Sequence, residues 1–243
     1  KESKLRKHLN TFKFEKYPFM KKVTKCAPQL AIKQLGSAFD RFFNGKSGYP
    51  KPRKKGKDDR FSLSNDQFSV KGRSIKIPNL GWVKMTENLR YKGKILSAKI
   101  FKQGGKWFVS IAVELTQIEK LKPKTGLSIG VDLGVSNLAT LSNGEVIPSN
   151  APLKRQLAKL RRLNKSFSRK KKGSQNREKA KAKLSRLHYK IACLRKNNLH
   201  QVTTDLVTRF DVIAIEDLNV KGMLRNRKLA RAISDMGFYE FKR

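Results

Sequence analysis

The spacing of hydrophobic residues changes twice along this chain of 243 residues. Over residues 1–46 apolar side chains recur every three or four positions, which predicts helix. From 61 to 114 they alternate with polar residues in short runs, which predicts roughly five or six strands. Helical spacing returns from 151 to 210, with a break at 170–176. The predicted order is a helical segment, a small β-barrel or sandwich, and a pair of antiparallel helices.

Aromatic residues in the first two segments could be core residues or platforms for nucleobases. Trp82 and Trp107 lie in the strand region, and because tryptophan is mostly buried in folded proteins, we predict that both belong to the core. One face of the first helical segment carries an apolar stripe, which we predict to be a packed core face rather than a base-stacking surface. The residues of this stripe are Leu35, Ala38, Phe39 and Phe42.

Two short β-branched runs flank the second helical segment, and each holds a carboxylate. Asp132 lies in "LSIGVDLG", which we expect to form a hairpin with "NLATLS", closed by a turn at 142–144. Glu216 ends "VIAIE", a pattern typical of a buried strand. The helices between the two runs provide the long crossover that a parallel strand pair requires. Neighbouring strands lie about 4.8 Å apart, so the two carboxylates are predicted to meet.

Paired carboxylates at matching heights bind divalent cations, and Mg²⁺ held in this way promotes phosphodiester hydrolysis. Gly134 follows Asp132 closely and has no side chain to block an approaching phosphate. The alternative for Asp132 by itself is a strand-end acid that caps a turn. Two other acids are predicted to be structural: Asp217 as a strand-end or turn acid, and Asp235 as a hydrogen-bonding residue or cap.

The net charge of the chain indicates which class of molecule it binds. The chain has 57 Lys and Arg against 18 Asp and Glu, a net charge of +39, and a globule so unbalanced repels itself without a polyanionic partner. Nucleic acid is the expected partner, with a membrane surface or an acidic protein as alternatives. Cations crowd a loop at 44–60 and the helices of 154–196, which hold 18 Lys and Arg and one acid. The candidate contacts with nucleic-acid backbones are Lys51, Arg53, Lys54, Lys55, Arg161, Arg162, Arg169, Lys170, Lys171 and Lys172.

The cysteines and the hydropathy indicate the compartment. Cys26 and Cys193 have no CxxC partner, which fits a reducing cytosol and provides no zinc site. No apolar run approaches the roughly 20 residues of a membrane span, and no signal peptide is visible. Because the first residue is Lys1 rather than Met, we expect a part of a longer protein.

Several motifs in order resemble the TnpB (OrfB-type) family of transposon-encoded, RNA-guided DNA endonucleases, which are related to type V CRISPR effectors. "IGVDLGVSNLATLSNGE" resembles the first RuvC motif, and "VIAIEDLNVKGMLRNRKLARAISDMGFYEF" the second. Four further segments resemble the rest of the family pattern, so the likeness covers nearly the whole chain. They are "GYPKPRKK", "IKIPNLGWVKM", "GKILSAKIFKQGGKWFVSIAVEL" and "LNKSFSRKKKGSQNREKAKAKLSRLHYKI".

The resemblance implies an α/β protein with an RNase H-like (RuvC) nuclease domain over 125–243, into which a basic helical hairpin at 151–210 is inserted. It also implies a β-rich, barrel-like wedge domain at 47–124 and a helical recognition-lobe segment at 1–46. Asp132 would be the first catalytic acid and Glu216 the second, both as ligands of a two-metal Mg²⁺ site. The implied partners are a guide RNA and a double-stranded target DNA with a short flanking motif. We expect one monomer per guide RNA, in a prokaryotic cytoplasm at the nucleoid.

The chain departs from the family pattern at its ends. The family continues into a zinc ribbon that binds Zn²⁺ through two CxxC pairs, and into a third RuvC acid. Neither is found before Arg243, and the strands that open the wedge domain are missing before Lys1. We therefore expect truncation at both ends, with a nuclease-deficient, RNA-guided DNA-binding protein of repressor type as the alternative function. The segment "IGVDLGVSN" also resembles the first phosphate loop of actin-like ATPases. An ATPase of that class would need a second Gly-rich loop, which the sequence lacks.

Overall fold

The chain folds as two compact units, Lys1–Glu119 and Lys120–Arg243. The structure, a computed structural model, describes residues 2–52, 54, 56, 59–115 and 126–243. Both units contain helices and strands, so the predicted mixed α/β class is confirmed. The segment "LKPKTG" (121–126), whose Pro, Gly and Lys predict a linker, lies outside the described residues except for Gly126. The boundary at residue 46 and the wedge, recognition-lobe and RNase H-like assignments stay predictions.

The first unit opens with two helices and continues as strands. The helices are α1 (Glu2–Lys16) and α2 (Cys26–Phe43), with a 3₁₀ turn at Pro18–Lys22 between them. The strands are β1 (Arg60–Ser64), β2 (Ser69–Lys71), β3 (Ser74–Ile77), β4 (Gly81–Lys84), β5 (Lys94–Gln103) and β6 (Lys106–Glu114). They form two antiparallel sheets, ordered β1-β5-β6 and β2-β3-β4. The predicted strands are thus confirmed, but among the described residues the two sheets share no hydrogen-bonded strand pair and close no barrel.

One apolar core joins the two sheets of this unit to α2. Strand alternation selects its members: β3 reads Ser-Ile-Lys-Ile, and both isoleucines are buried. The buried residues are Cys26, Leu63, Ile75, Ile77, Ala98 and Ile100.

The prediction that the α2 stripe is a buried face is wrong. Cys26 is the one buried residue of this helix, and Leu35 is 45% exposed. Phe39 and Phe42 are half-buried because each packs edge-on against Tyr49, at ring-centroid distances of 5.8 and 5.4 Å. The stripe therefore forms a local aromatic cluster with Tyr49, which lies in the loop after the helix.

The prediction that both tryptophans belong to the core is also wrong. Trp82 is 52% exposed and Trp107 is 58% exposed. Trp82 lies on an edge strand and pairs with Lys76, on the face of β3 that carries no buried residue. Trp107 lies at the end of the β5–β6 hairpin, next to the tight turn that the positive φ angles of Gly104 and Gly105 produce.

The second unit is a four-stranded sheet with helices. Its strands are β7 (Ser128–Leu133), β8 (Asn137–Leu141), β9 (Val146–Pro148) and β10 (Val212–Ile215), in the order β10-β7-β8-β9. Its helices are α3 (Pro152–Ser168), α4 (Gln175–Arg209), α5 (Val220–Met223), α6 (Ala230–Met236) and α7 (Phe238–Lys242). The predicted pair of helices between the two acidic strands is present as α3 and α4. Among the described residues, no helix is long and apolar enough to cross a membrane.

Two details of this sheet differ from prediction. The turn at 142–144 does not close the β7–β8 hairpin; it leads from β8 into β9, a strand that the sequence pattern did not predict. β10 is not a buried strand, because it lies at the edge of the sheet and only one of its faces meets the core. Val212 on its other face is 61% exposed.

Asp235 is the structural cap that the sequence predicts. It is 3% exposed, and its two carboxylate oxygens accept hydrogen bonds from the backbone N–H groups of Leu153 and Lys154, each at 3.0 Å. Arg195 Nη2 donates to the same carboxylate at 3.2 Å. One buried side chain of α6 therefore caps the first turn of α3 and ties it to α4.

Candidate active site

Strand pairing brings the two predicted acids to neighbouring positions. β7 and β10 run parallel, and their register pairs Ser128 with Val212 and Val131 with Ile215. Asp132 and Glu216 are the residues that directly follow the last of these pairs. Since adjacent strands lie about 4.8 Å apart, the backbones that carry the two acids are close neighbours.

Both carboxylates belong to the solvent side of the sheet. Ile129, Val131 and Leu133 of β7 are buried, while Asp132 between them is exposed. Strand alternation therefore places Asp132 on the face opposite the apolar core. Glu216 is exposed as well, and it follows Ile215, which packs against that core. An ionised group in a short apolar run is costly to bury unless something positive meets it, but here both carboxylates are exposed to water.

Neither carboxylate makes a hydrogen bond or an ion pair with any residue that the structure describes. The acids nearby behave differently. Asp217 pairs with Lys242, whose hydrogen bond lowers the pKa of the Asp217 carboxyl. Glu145 accepts from Arg209 Nη2 at 2.6 Å, and this bond lowers the pKa of Glu145. Other described acids, among them Glu15 and Asp40, also lack an ion pair with a described residue, so what sets Asp132 and Glu216 apart is that the parallel pairing of β7 with β10 makes them neighbours.

The donor set fits magnesium better than zinc. Structural zinc sites need four Cys or His ligands, and in the described part of the chain no three His, Cys, Asp or Glu side chains cluster around a common point. Mg²⁺ is usually held by one or two protein carboxylates, and water and substrate phosphates complete its octahedron. Asp132 and Glu216, adjacent and without a cationic partner, match that description.

The turn after β7 favours a glycine at position 134 for a structural reason, in addition to leaving room for a substrate. A Cβ atom at this position would lie 3.1 Å from the carbonyl oxygen of Asn137, and the Gly134 N–H donates to the Leu138 carbonyl at 3.3 Å. The turn from β7 to β8 therefore brings two backbones so close that a side chain at this position would have to push its neighbour aside by a few tenths of an ångström. A glycine here holds the strand end that carries Asp132.

The predicted cationic contacts fall in two places. Lys51 and Lys54 are exposed in the loop after α2, whereas Arg53 and Lys55 lie outside the described residues. The other six lie in α3 and in the α3–α4 connection, and none forms an ion pair with a described residue; all are exposed except Lys170, which is half-buried. These six are Arg161, Arg162, Arg169, Lys170, Lys171 and Lys172.

Arg177 organises the connection that carries four of these cations, a role that the sequence reasoning missed. Its guanidinium donates to the carbonyls of Phe167 and Lys170 at 3.1 and 2.7 Å and stacks 4.1 Å from the centroid of the Phe167 ring. The Ser174 side chain accepts from the Arg177 N–H and so caps α4. The Ser-x-x-Arg spacing at the start of a helix was the available signal.

The chain is similar in sequence to known proteins. Residues 110–227 match the family OrfB_IS605, described as "Probable transposase", and the match includes both Asp132 and Glu216. Over these residues the chain matches the OrfB family. The matched segment runs from β6 to the residues after α5.

Three relatives of this chain carry the name of a nuclease. "Putative RNA-guided DNA endonuclease InsQ" of Escherichia coli K12 is 32% identical, over 88% of this chain and 57% of that protein. "Putative RNA-guided DNA endonuclease" of Streptomyces pristinaespiralis is 34% identical, over 95% of this chain and 58% of that protein. "Putative RNA-guided DNA endonuclease Rv2885c" of Mycobacterium tuberculosis H37Rv is 28% identical, over 87% of this chain and 53% of that protein. The chain thus spans little more than half the length of these relatives.

Proposed function

We propose that this chain carries the first two catalytic acids of an RNA-guided, Mg²⁺-dependent DNA endonuclease of an insertion-sequence transposon. The observation that carries the proposal is the placement of Asp132 and Glu216, directly after a parallel strand pair in register and on the solvent side of the sheet. The names of the relatives support the same reaction class.

The two carboxylates would hold the metal. Mg²⁺, when bound, activates a water and stabilises the leaving oxygen of a phosphodiester. The contribution of the chain is geometric and electrostatic: β7 and β10 fix the two acids side by side, and the absence of a paired cation among the described residues keeps their charge available. Water access from the open face lets a phosphate approach them.

The cationic residues would hold the nucleic acids. Lys51 and Lys54 in one unit, and the six cations of the α3–α4 region in the other, are available for phosphates because no described acid pairs with them. A guide RNA would select the target DNA by base pairing, while the protein reads backbone shape and a short flanking motif. We propose one monomer per guide RNA, acting in the cytoplasm on nucleoid DNA.

Cleavage of a guide-matched DNA tests the proposal. The full-length protein with its guide RNA and Mg²⁺ is compared with Asp132→Asn and Glu216→Gln, which keep the size of each side chain and remove its charge. Both variants are expected to bind the matched DNA as the wild type does and to leave it intact. Asp217→Asn, which alters the acid next to Glu216, is the matched control and is expected to cleave. Cleavage by either neutralised variant would overturn the proposal.

One observation favours a second function. The described residues bring two carboxylates together rather than three or more. A guided DNA-binding protein without nuclease activity would bind the matched DNA and leave it uncut in the wild type and in every variant. The same assay therefore separates the two functions.

A further inference from the structure

The sheet β2-β3-β4 turns one face toward the core and the other toward solvent. Ile75 and Ile77 of its central strand are buried on the inner side. On the outer side the register pairs Lys76 with both Ser69 and Trp82, and Ser74 with both Lys71 and Lys84. Directly opposed side chains share a face of the sheet, so these residues form two adjacent rows. We call this surface the outer face: Ser69, Lys71, Ser74, Lys76, Trp82 and Lys84.

The outer face is cationic. It holds three lysines and no acid, and every residue except Ser74 is exposed. None of the three lysines forms an ion pair with a described residue. Lys76 is directly opposed to Trp82, at about 5 Å, and Lys84 lies two residues further along the same strand. Lys71 lies two strands away on β2, so the three cations extend from Trp82 across the sheet.

No described aromatic ring or cation stacks on Trp82, and this residue is 52% exposed. Trp107 in the same unit is similarly exposed, at 58%, but Lys102 Nζ lies 5.7 Å from its ring centroid. The exposure of Trp107 therefore accompanies an internal cation–π contact, whereas the ring of Trp82 offers its surface to solvent. A large aromatic ring among lysines is the arrangement that stacks on an unpaired base while the cations bind the backbone.

We propose that the outer face binds a single-stranded segment of RNA, with one base stacked on Trp82 and the flanking phosphates at Lys71, Lys76 and Lys84. A base inside a duplex has its faces covered by its neighbours, so a single strand is required. RNA rather than DNA is chosen because the relatives are named RNA-guided, and a resident guide offers unpaired segments. The inference thus deepens the proposed function and rests on it.

Tryptophan fluorescence tests the contact directly, because the chain has only two tryptophans. In Trp107→Phe the emission comes from Trp82 alone, and in Trp82→Phe from Trp107 alone. The probe is an unstructured RNA of about 15 nucleotides, within the range of single-strand site sizes. Trp82 emission is expected to be quenched saturably, and Trp107 emission to change much less. A duplex RNA of the same sequence should leave Trp82 emission nearly unchanged.

Affinity measurements separate stacking from charge. Trp82→Leu, which removes the ring and keeps an apolar side chain, is expected to weaken binding of the same RNA roughly fivefold to a hundredfold. Trp82→Phe keeps a ring and should recover most of that loss. Trp107→Leu is the matched control and should change Kd much less. Trp82→Leu should unfold at the wild-type temperature, because Trp82 is not a core residue.

The outcomes distinguish this inference from the proposed function. If the wild type binds no RNA, the proposed function fails. If it binds RNA while Trp82 emission is unaffected, or while Trp82→Leu and Trp107→Leu lose affinity equally, only the outer face is wrongly assigned. Stronger quenching by a DNA strand of the same sequence would overturn the choice of RNA. Asp132→Asn should retain full quenching of Trp82 even though it cuts no DNA.

Discussion

Asp235 and the pair Asp132–Glu216 are carboxylates in the same unit, and they lie in opposite environments. Asp235 is buried and accepts from two backbone N–H groups and an arginine. Asp132 and Glu216 are exposed and have no such partner among the described residues. A buried carboxylate needs hydrogen-bond donors or a cation within the fold, because an unpaired buried charge is costly. An exposed carboxylate is solvated by water and can bind a cation from solution. Two exposed acids that strand pairing brings together therefore indicate a cation site more clearly than a buried, fully paired one.

The largest expected effect concerns the exposed pair. Asp132→Asn should lower the rate of guided cleavage by about a thousandfold or more, because metal stabilisation of the transition state is worth several kcal/mol. Its melting temperature should stay at or above the wild-type value, and Mg²⁺ should no longer raise it. Single-turnover cleavage and thermal unfolding with and without Mg²⁺ measure these effects. A large drop in melting temperature would show that Asp132 is structural, which would remove the contrast with Asp235.

The buried acid should show the reverse behaviour. Asp235→Ala is expected to lower the free energy of unfolding by about 3–5 kcal/mol, because it leaves Arg195 and two N–H groups of α3 without their partner. Chemical denaturation gives this value. Asp205→Ala, which removes an exposed acid from α4, is the control and should cost far less. A loss below about 1 kcal/mol for Asp235→Ala would mean that the α3 cap contributes no more than a surface pair.

The same contrast, between side chains with and without a described ion-pair partner, applies to the lysines of the α3–α4 region. Replacing Lys170, Lys171 and Lys172 by Gln should make the binding of duplex DNA less sensitive to salt. The slope of log K against log salt concentration should become less negative by roughly 2 to 3, since each phosphate contact contributes about −0.9. Lys181→Gln is the single-residue control, because Lys181 lies 3.6 Å from Glu178. A slope unchanged by the triple replacement would mean that these lysines face solvent only.

The smallest effect is pH-dependent. The hydrogen bond from Arg209 holds the pKa of Glu145 below its usual value, so the stabilisation is present at neutral pH and is lost as the pH falls through the lowered pKa. Glu145→Gln should therefore lower the melting temperature slightly near pH 7, and the difference from the wild type should vanish in acid. Melting curves across this range test the sign. A difference that grows in acid would contradict it.

The candidate site was predictable because its signals are local. Asp132 and Glu216 each lie in a short β-branched run, and the helical spacing between the runs identifies a crossover, which predicts a parallel pair. The turn at 142–144 was assigned to the wrong hairpin because a turn residue indicates a reversal without indicating which strands it joins. For Asp235 the sequence predicted a capping or hydrogen-bonding role but not the partners. These partners, Leu153 and Lys154, are distant in the sequence.

Periodicity and charge are properties of neighbouring residues, so they predicted most of the elements and their order, the cationic character and the two acids, although not β9. Which faces are covered depends on packing in three dimensions. Trp82, Trp107 and Val212 have apolar side chains that are usually buried, and all three are exposed because of where their strands lie in the sheets. Burial depends on what packs against a face, and that packing is made by residues far away in the chain.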